Sequence, residues 1–151
     1  MQKLCFFCFL LLLSFLTACG SSEPEQLTIV EGEQFEEVAD FLFSYKENMI
    51  EAVNTGDFNN LEPYLITNNS FYHSLRRYTS DLHGERTTKE LNDFEVIAVY
   101  EDEIGELHAD VNEVVTLYEH GDEKELSRSL RFELVRGGDG SLRIVTIKES
   151  K

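Results

Sequence analysis

Positive charge is scarce in this chain of 151 residues: 13 Lys and Arg stand against 29 Asp and Glu, a formal charge of −16. A sequence pI near 4.5 argues against nucleic acid as a partner, because phosphate binding needs clustered Lys and Arg. It argues equally against electrostatic docking onto anionic lipid. No apolar run is long enough to cross a bilayer as a helix, which takes about 20 residues; Leu4 to Leu16 gives only thirteen. Cysteine is limited to Cys5, Cys8 and Cys19, and there is no internal repeat. What remains is ample for one domain: 42% hydrophobic and 11% aromatic residues suffice for a core.

The N-terminus reads as an address. Met1-Gln2-Lys3 carries one positive charge, an apolar run follows, and small residues close it, the pattern of a secretory signal peptide. Leu16-Thr17-Ala18-Cys19 resembles the bacterial lipobox, in which a Leu stands three residues before a Cys and two small residues precede it. The resemblance to prolipoproteins implies a diacylglycerol thioether on Cys19 and cleavage before it. Residues 1–18 are then a lipoprotein signal peptide, and residues 19–33 the lipidated Cys and a flexible tether. The expected location is the extracytoplasmic face of the cell membrane, held by acyl chains through Cys19. Cys5 and Cys8 lie inside the removed segment and a lipidated Cys19 cannot form a disulfide, so the mature chain needs no oxidising compartment. Removing Lys3 with the leader makes the mature charge 12 − 29 = −17.

Residues 34–151 form the expected domain. Phe35, Val38, Ala39, Leu42, Tyr45, Met49 and Val53 recur at helical spacing, with Gly56 as the stop. Asp57 is expected to cap a brief helix over Phe58 to Leu65, irregular at Pro63. Ser70 is expected to cap a third, with Phe71, Leu75, Tyr78 and Leu82 on one face and Gly84 at its end. After Glu90 the period becomes two. Asn92–Glu101, Leu107–His120, Lys124–Arg136 and Leu142–Lys148 read as four antiparallel strands joined by short turns. Leu27-Thr28-Ile29-Val30 is an apolar island in the tether, either a short edge strand or a surface segment.

A Gly121-Asp122 turn sets Glu113 opposite Leu130, Val111 opposite Phe132 and Arg128 diagonal to Glu113. A Leu134–Leu142 pairing sets Phe132 opposite Ile144, and a Tyr100–Leu107 pairing sets Val96 opposite Val111. One face then collects Phe94, Tyr100, Leu107, Val111, Val115, Leu130, Phe132 and Ile144. The other face carries Val114, Tyr118, Val135, Val145 and Ile147, a patch suited to a homodimer through the sheet.

Asn54-Thr55-Gly56-Asp57-Phe58, Leu61-Glu62-Pro63-Tyr64-Leu65 and Asn69-Ser70-Phe71-Tyr72 are similar to the C-terminal domain of the TcaA family and to small Gram-positive lipoproteins that carry it alone. The resemblance covers roughly residues 34–148 and implies a nuclear transport factor 2-like cone at the cell envelope. This is an α+β fold with three N-terminal helices on a curved four-stranded meander. It implies no catalytic motif. The zinc ribbon and membrane helix of TcaA proteins have no counterpart in this sequence.

The chemistry-bearing residues are few. His73, His83, His108 and His120 lack metal-ligand spacing, so neither metal nor cofactor is expected. No Gly-x-Ser-x-Gly or free Cys offers a nucleophile. Glu113, Arg128, Tyr100 and Phe132 are the candidate pocket. A carboxylate among apolar neighbours has a raised pKa and serves as a general base; the competing reading is a structural Glu113–Arg128 ion pair. Arg76 and Arg77 are candidate anion contacts, weighed against pairing with nearby acids. The balance is a non-catalytic binding or accessory domain whose partner is an envelope protein or wall polymer. The alternative is a small-molecule enzyme with Glu113 as base.

Overall fold

The computed structural model describes residues 26–150. The leader, Cys19 and the first part of the tether lie outside the described residues. The element order is β1 (Thr28–Val30), α1 (Glu33–Thr55), a 3-10 helix (Asn59–Tyr64), α2 (Ser70–Gly84), β2 (Thr88–Glu101), β3 (Leu107–Glu119), β4 (Asp122–Arg136) and β5 (Leu142–Glu149). The strands form one antiparallel sheet in the order β1-β2-β3-β4-β5. The sheet therefore has five strands, not four. Val30 is buried opposite Val99, and that burial turns the apolar island into an edge strand.

Helix α1 buries Val38, Leu42, Tyr45, Met49 and Val53 of the expected stripe and adds Ala52, while Phe35 and Ala39 are half-buried. It stops at Gly56, whose φ of 79° is the left-handed conformation that glycine adopts without strain. A Cβ there would also stand 2.7 Å from the His83 ring, so helix end and α2 meet too closely for any side chain. Asp57 accepts from the Asn59 backbone N–H at 3.0 Å, opening the short helix that Pro63 keeps to 3-10 geometry. The cap of α2 is Asn69 rather than Ser70. Asn69 Oδ1 accepts from the Tyr72 N–H at 2.7 Å while its Nδ2 donates to the Val145 carbonyl at 3.2 Å. The buried face of α2 is accordingly Tyr72, Leu75 and Thr79, with Tyr78 left exposed.

The hairpin between β3 and β4 turns at His120-Gly121, both at positive φ (51° and 94°), with Glu119 paired to Asp122. The register therefore differs by two residues from the one a Gly121-Asp122 turn gives. A shift of two keeps every side chain on its face, so Val111, Val115, Leu130, Phe132 and Leu134 are buried together as expected. The facing partners change: Glu113 is opposite Arg128, Val111 opposite Leu130 and Ala109 opposite Phe132. Two irregularities do change faces. The extra residue between Val96 and Ala98 pairs Tyr100 with His108 and brings Val99 inside in its place. The irregularity opposite Glu133/Leu134 pairs Phe132 with Ile147, so Ile147 packs against the core instead of joining the outer patch.

Candidate functional site

Helix α1 and strands β2, β3 and β4 each deliver one charged side chain to the same region. Glu113 lies on the inner face of β3 between Val111 and Val115 and is 1% exposed. The register places Arg128 directly across the ladder, and its Nη2 donates to Glu113 Oε1 at 2.5 Å. Lys46 reaches the same carboxylate from α1, forming an ion pair through Glu113 Oε2. Lys46 stands four residues after Leu42 and three before Met49, within the apolar stripe. Lys89 comes from the start of β2. Asn54, near the end of α1, clamps its backbone on both sides, donating to the Lys89 carbonyl at 2.9 Å and accepting from its N–H at 2.8 Å. Lys89 Nζ then donates to the Tyr78 hydroxyl at 3.0 Å and lies over that ring at 5.2 Å.

Electrostatics follow from this burial. Desolvation pushes the Glu113 carboxyl upward, but Lys46 and Arg128 more than offset it and hold it below the ordinary range. The raised pKa expected of a base among apolar neighbours is thus overturned by two cations. Burial draws Lys46 down against the attraction of Glu113. Burial, reinforced by Arg128, draws Lys89 down to about 8. Burial also raises the Tyr45 and Tyr78 hydroxyls, so both stay neutral, Tyr78 accepting from Lys89.

A cavity of about 200 Å³ opens beside the cluster, with Glu113, Arg128, Lys46 and Tyr78 among its lining. Phe132 forms part of its wall, with the Tyr45 ring edge-on at 6.0 Å. Of the four sequence-predicted pocket residues, Glu113, Arg128 and Phe132 come together; Tyr100 sits on the other face of the sheet, carried there by the bulge. Arg76 and Arg77 are both exposed; Arg76 donates to the Tyr72 hydroxyl at 3.2 Å and stacks on Phe58 at 5.8 Å. Neither lines this cavity. A larger cleft of about 600 Å³ runs between α1 and β2, where Phe43 and Phe94 meet among Glu47, Glu51 and Asp93. Among the described residues no three His, Cys, Asp or Glu side chains converge as a metal site. None of the described helices is long and apolar enough to cross a membrane.

Sequence reasoning missed Lys46 and Lys89. For Lys46 a signal existed: a lone charge inside the stripe Val38–Leu42–Met49–Val53 is buried by helical geometry. For Lys89 the signal was masked, because the irregularity between Leu91 and Asp93 breaks the alternation and hides the start of β2.

A family profile, the TcaA protein NTF2-like domain, matches residues 35–148. The chain belongs to this family. An uncharacterized protein of Alkalihalophilus pseudofirmus is 56% identical over 141 residues, covering 93% of this chain and 92% of that one. Solved structures with the same fold include a protein of Catenulispora acidiphila (TM-score 0.60, 16% identity, 79% of this chain and 94% of that chain). Aln2 of a Streptomyces species is similar (0.58, 15%, 82% and 94%). So is the intermembrane space region of the chloroplast protein ARC6 (0.59, 8%, 76% and 94%). These likenesses establish the NTF2-like fold of the TcaA-type domain.

Proposed function

We propose that the protein is an extracytoplasmic lipoprotein, anchored through Cys19, whose TcaA-type cone is a non-catalytic binding or accessory domain of the cell envelope. The observation that carries the non-catalytic reading is the engagement of Glu113. A general base must offer a free lone pair to its substrate, and both oxygens of this carboxylate are held by Lys46 and Arg128. A carboxylate held below its ordinary pKa is also a weaker base than a free one. Leu16-Thr17-Ala18-Cys19 supports the anchor, since the thirteen-residue apolar run before it is too short to span a bilayer. An envelope protein or wall polymer is the partner class that suits such a location.

Two experiments test the two halves of this reading. Cys19→Ala should release the protein from the membrane fraction of intact cells; undiminished membrane association refutes the anchor. Glu113→Gln combined with Lys46→Met removes the carboxylate together with the buried lysine paired to it, and leaves Arg128, 30% exposed, able to turn its guanidinium toward water. A folded double variant that still restores the phenotype of a deletion strain supports the binding reading. A folded double variant that fails to restore it favours the enzyme reading, with Glu113 as base.

A further inference from the structure

Strand β2 is 14 residues long, yet β1 pairs only with its last three, Val99, Tyr100 and Glu101. From Thr88 to Ala98 it has a neighbouring strand, β3, on one side alone among the described residues. The other edge is closed at its start, where Asn54 takes both backbone groups of Lys89. Long open edges invite another chain, and proteins guard them with bulges and charge. This one has both guards. Irregularities stand at Leu91/Asp93 and at Val96/Ala98, but they leave Asp93 to Val96 in regular pairing. The charges are acids, Asp93 and Glu95, both exposed. Two copies meeting edge to edge would set these acids against each other, in a protein of formal charge −16. A basic chain meets no such barrier.

The cleft of about 600 Å³ lies against this same stretch of β2, which lines it through Leu91, Asn92, Asp93 and Phe94. Its other wall is one flank of α1, where Phe43, Glu47, Ile50, Glu51 and Asn54 recur at helical spacing. Phe43 is 44% exposed and its ring stands 6.2 Å from that of Phe94. Further along the strand Ile97 is 50% exposed. No Lys or Arg lines the cleft, and its acids Glu47, Glu51 and Asp93 have no ion pair among the described residues.

An open edge offers backbone donors and acceptors, the cleft offers apolar contact, and the acids offer counter-charge. We propose that β2 accepts an added strand here from a basic segment of an envelope protein, in which Lys or Arg alternates with Val- or Ile-sized residues. Side chains of a strand point alternately to opposite faces. The apolar set then enters the cleft against Phe43 and Phe94, and the basic set meets Asp93 and Glu95, which share a face of β2. Glu47 and Glu51 keep the cleft's rim negative and steer the segment in. This deepens the reading of the cone as a binding domain and rests on it; it does not depend on the lipid anchor.

The test is calorimetric titration of the full chain in detergent, at about 0.15 M salt, with the end-blocked heptapeptide Lys-Val-Lys-Val-Lys-Val-Lys. Saturable binding with a dissociation constant on the order of 50 μM is expected. The same residues reordered as a block of Lys followed by a block of Val keep the charge and lose the alternation. That peptide should bind at least about tenfold more weakly. Alternate amides of an added strand face its neighbour, so N-methylation of one alternate set should abolish binding and methylation of the other set should spare it. Glu47→Lys with Glu51→Lys alters two exposed positions of α1 and should weaken the alternating peptide about tenfold. If that helix does not fold, Phe43→Ala carries the test, with a similar loss of about tenfold. Absence of saturable binding overturns the proposal, as does equal binding of the reordered peptide. Equal damage from both methylation sets, or an affinity indifferent to both protein variants, overturns it too. A chain that dimerises and takes no peptide has a second copy on this edge, which is a further refutation. A folded Glu113→Gln, Lys46→Met variant that fails to complement but keeps its peptide affinity would instead strike the non-catalytic reading and not this edge.

Discussion

Replacing Glu113 by Leu should be among the most damaging single changes in this protein, and adding Lys46→Met should repair much of the damage. The side chains of Glu113 and Lys46 are 0% and 4% exposed, so each depends on the other for its charge. Removing Glu113 alone leaves Lys46 charged and unpaired, with Lys89 and Arg128 nearby and no carboxylate among them. Stranding a buried charge in this way costs about 3–5 kcal/mol. Lys46→Met alone is milder. Glu113 keeps Arg128 through the 2.5 Å contact, and the loss should be about 1–3 kcal/mol. Methionine fills the lysine stem's place between Leu42 and Met49, so little cavity is created.

If the two sites were independent, the double variant would lose the sum, about 4–8 kcal/mol, enough to unfold many domains of this size. The structure calls for strong coupling instead. With both changes the buried pair becomes two apolar side chains, and Arg128, 30% exposed, can turn its guanidinium toward water. The double variant should then lose no more than about 0–3 kcal/mol. The assay is urea unfolding followed by far-UV circular dichroism on the parent and three variants, with the slope m checked for constancy. Additivity within about 0.5 kcal/mol would refute the argument, since it would mean that Lys46 and Glu113 do not share one interaction.

Other consequences are simpler to state. Lys89 titrates near 8 when folded against an ordinary 10.5, so the folded state binds fewer protons between those values. Stability should therefore rise with pH across that window, by up to about 3 kcal/mol from this group, and Lys89→Met should flatten the rise in unfolding experiments between about pH 8 and 10. Glu113 works in the opposite range: its contribution is fully present above its ordinary 4.5 and is lost as pH falls through the lower folded value, so Glu113→Gln should blunt the acid limb of the stability profile. Gly56→Ala meets both a φ of 79° and the His83 ring at 2.7 Å. It should cost about 2–3 kcal/mol, read as a lowered melting temperature, and pairing it with His83→Ala should recover the steric part while leaving the backbone strain of about 1 kcal/mol.

Much of this architecture was legible because its signals are periodic. The α1 stripe from Val38 to Val53 and strands β3 and β4 obey one period each, and burial follows them. The departures have local causes that a period does not encode. Asn69 outcompetes Ser70 as cap because its amide both accepts from Tyr72 and donates to Val145, a strand residue far along the chain. Tyr100 and Ile147 change faces because a single extra residue in β2 and another in β5 reverse the alternation beyond it. The fifth strand depends on Val30 finding Val99, a partner that the tether's composition does not announce.

The two-residue difference in the β3–β4 hairpin shows why a face and a site are legible to different degrees. Side chains alternate with a period of two, so any even shift leaves the buried set intact. Hydrophobic burial is indifferent to which apolar neighbour stands opposite, and Val111 is as well covered by Leu130 as by Phe132. A charge is not indifferent. With the turn at Gly121-Asp122, Glu113 would face Leu130 and reach Arg128 only along a diagonal. With the turn at His120-Gly121, the two stand side by side and close at 2.5 Å. His120 accepts a positive φ of 51° to make that turn, an uncommon conformation outside glycine. The positive φ at that turn thus fixes the pairing of a buried carboxylate seven residues away.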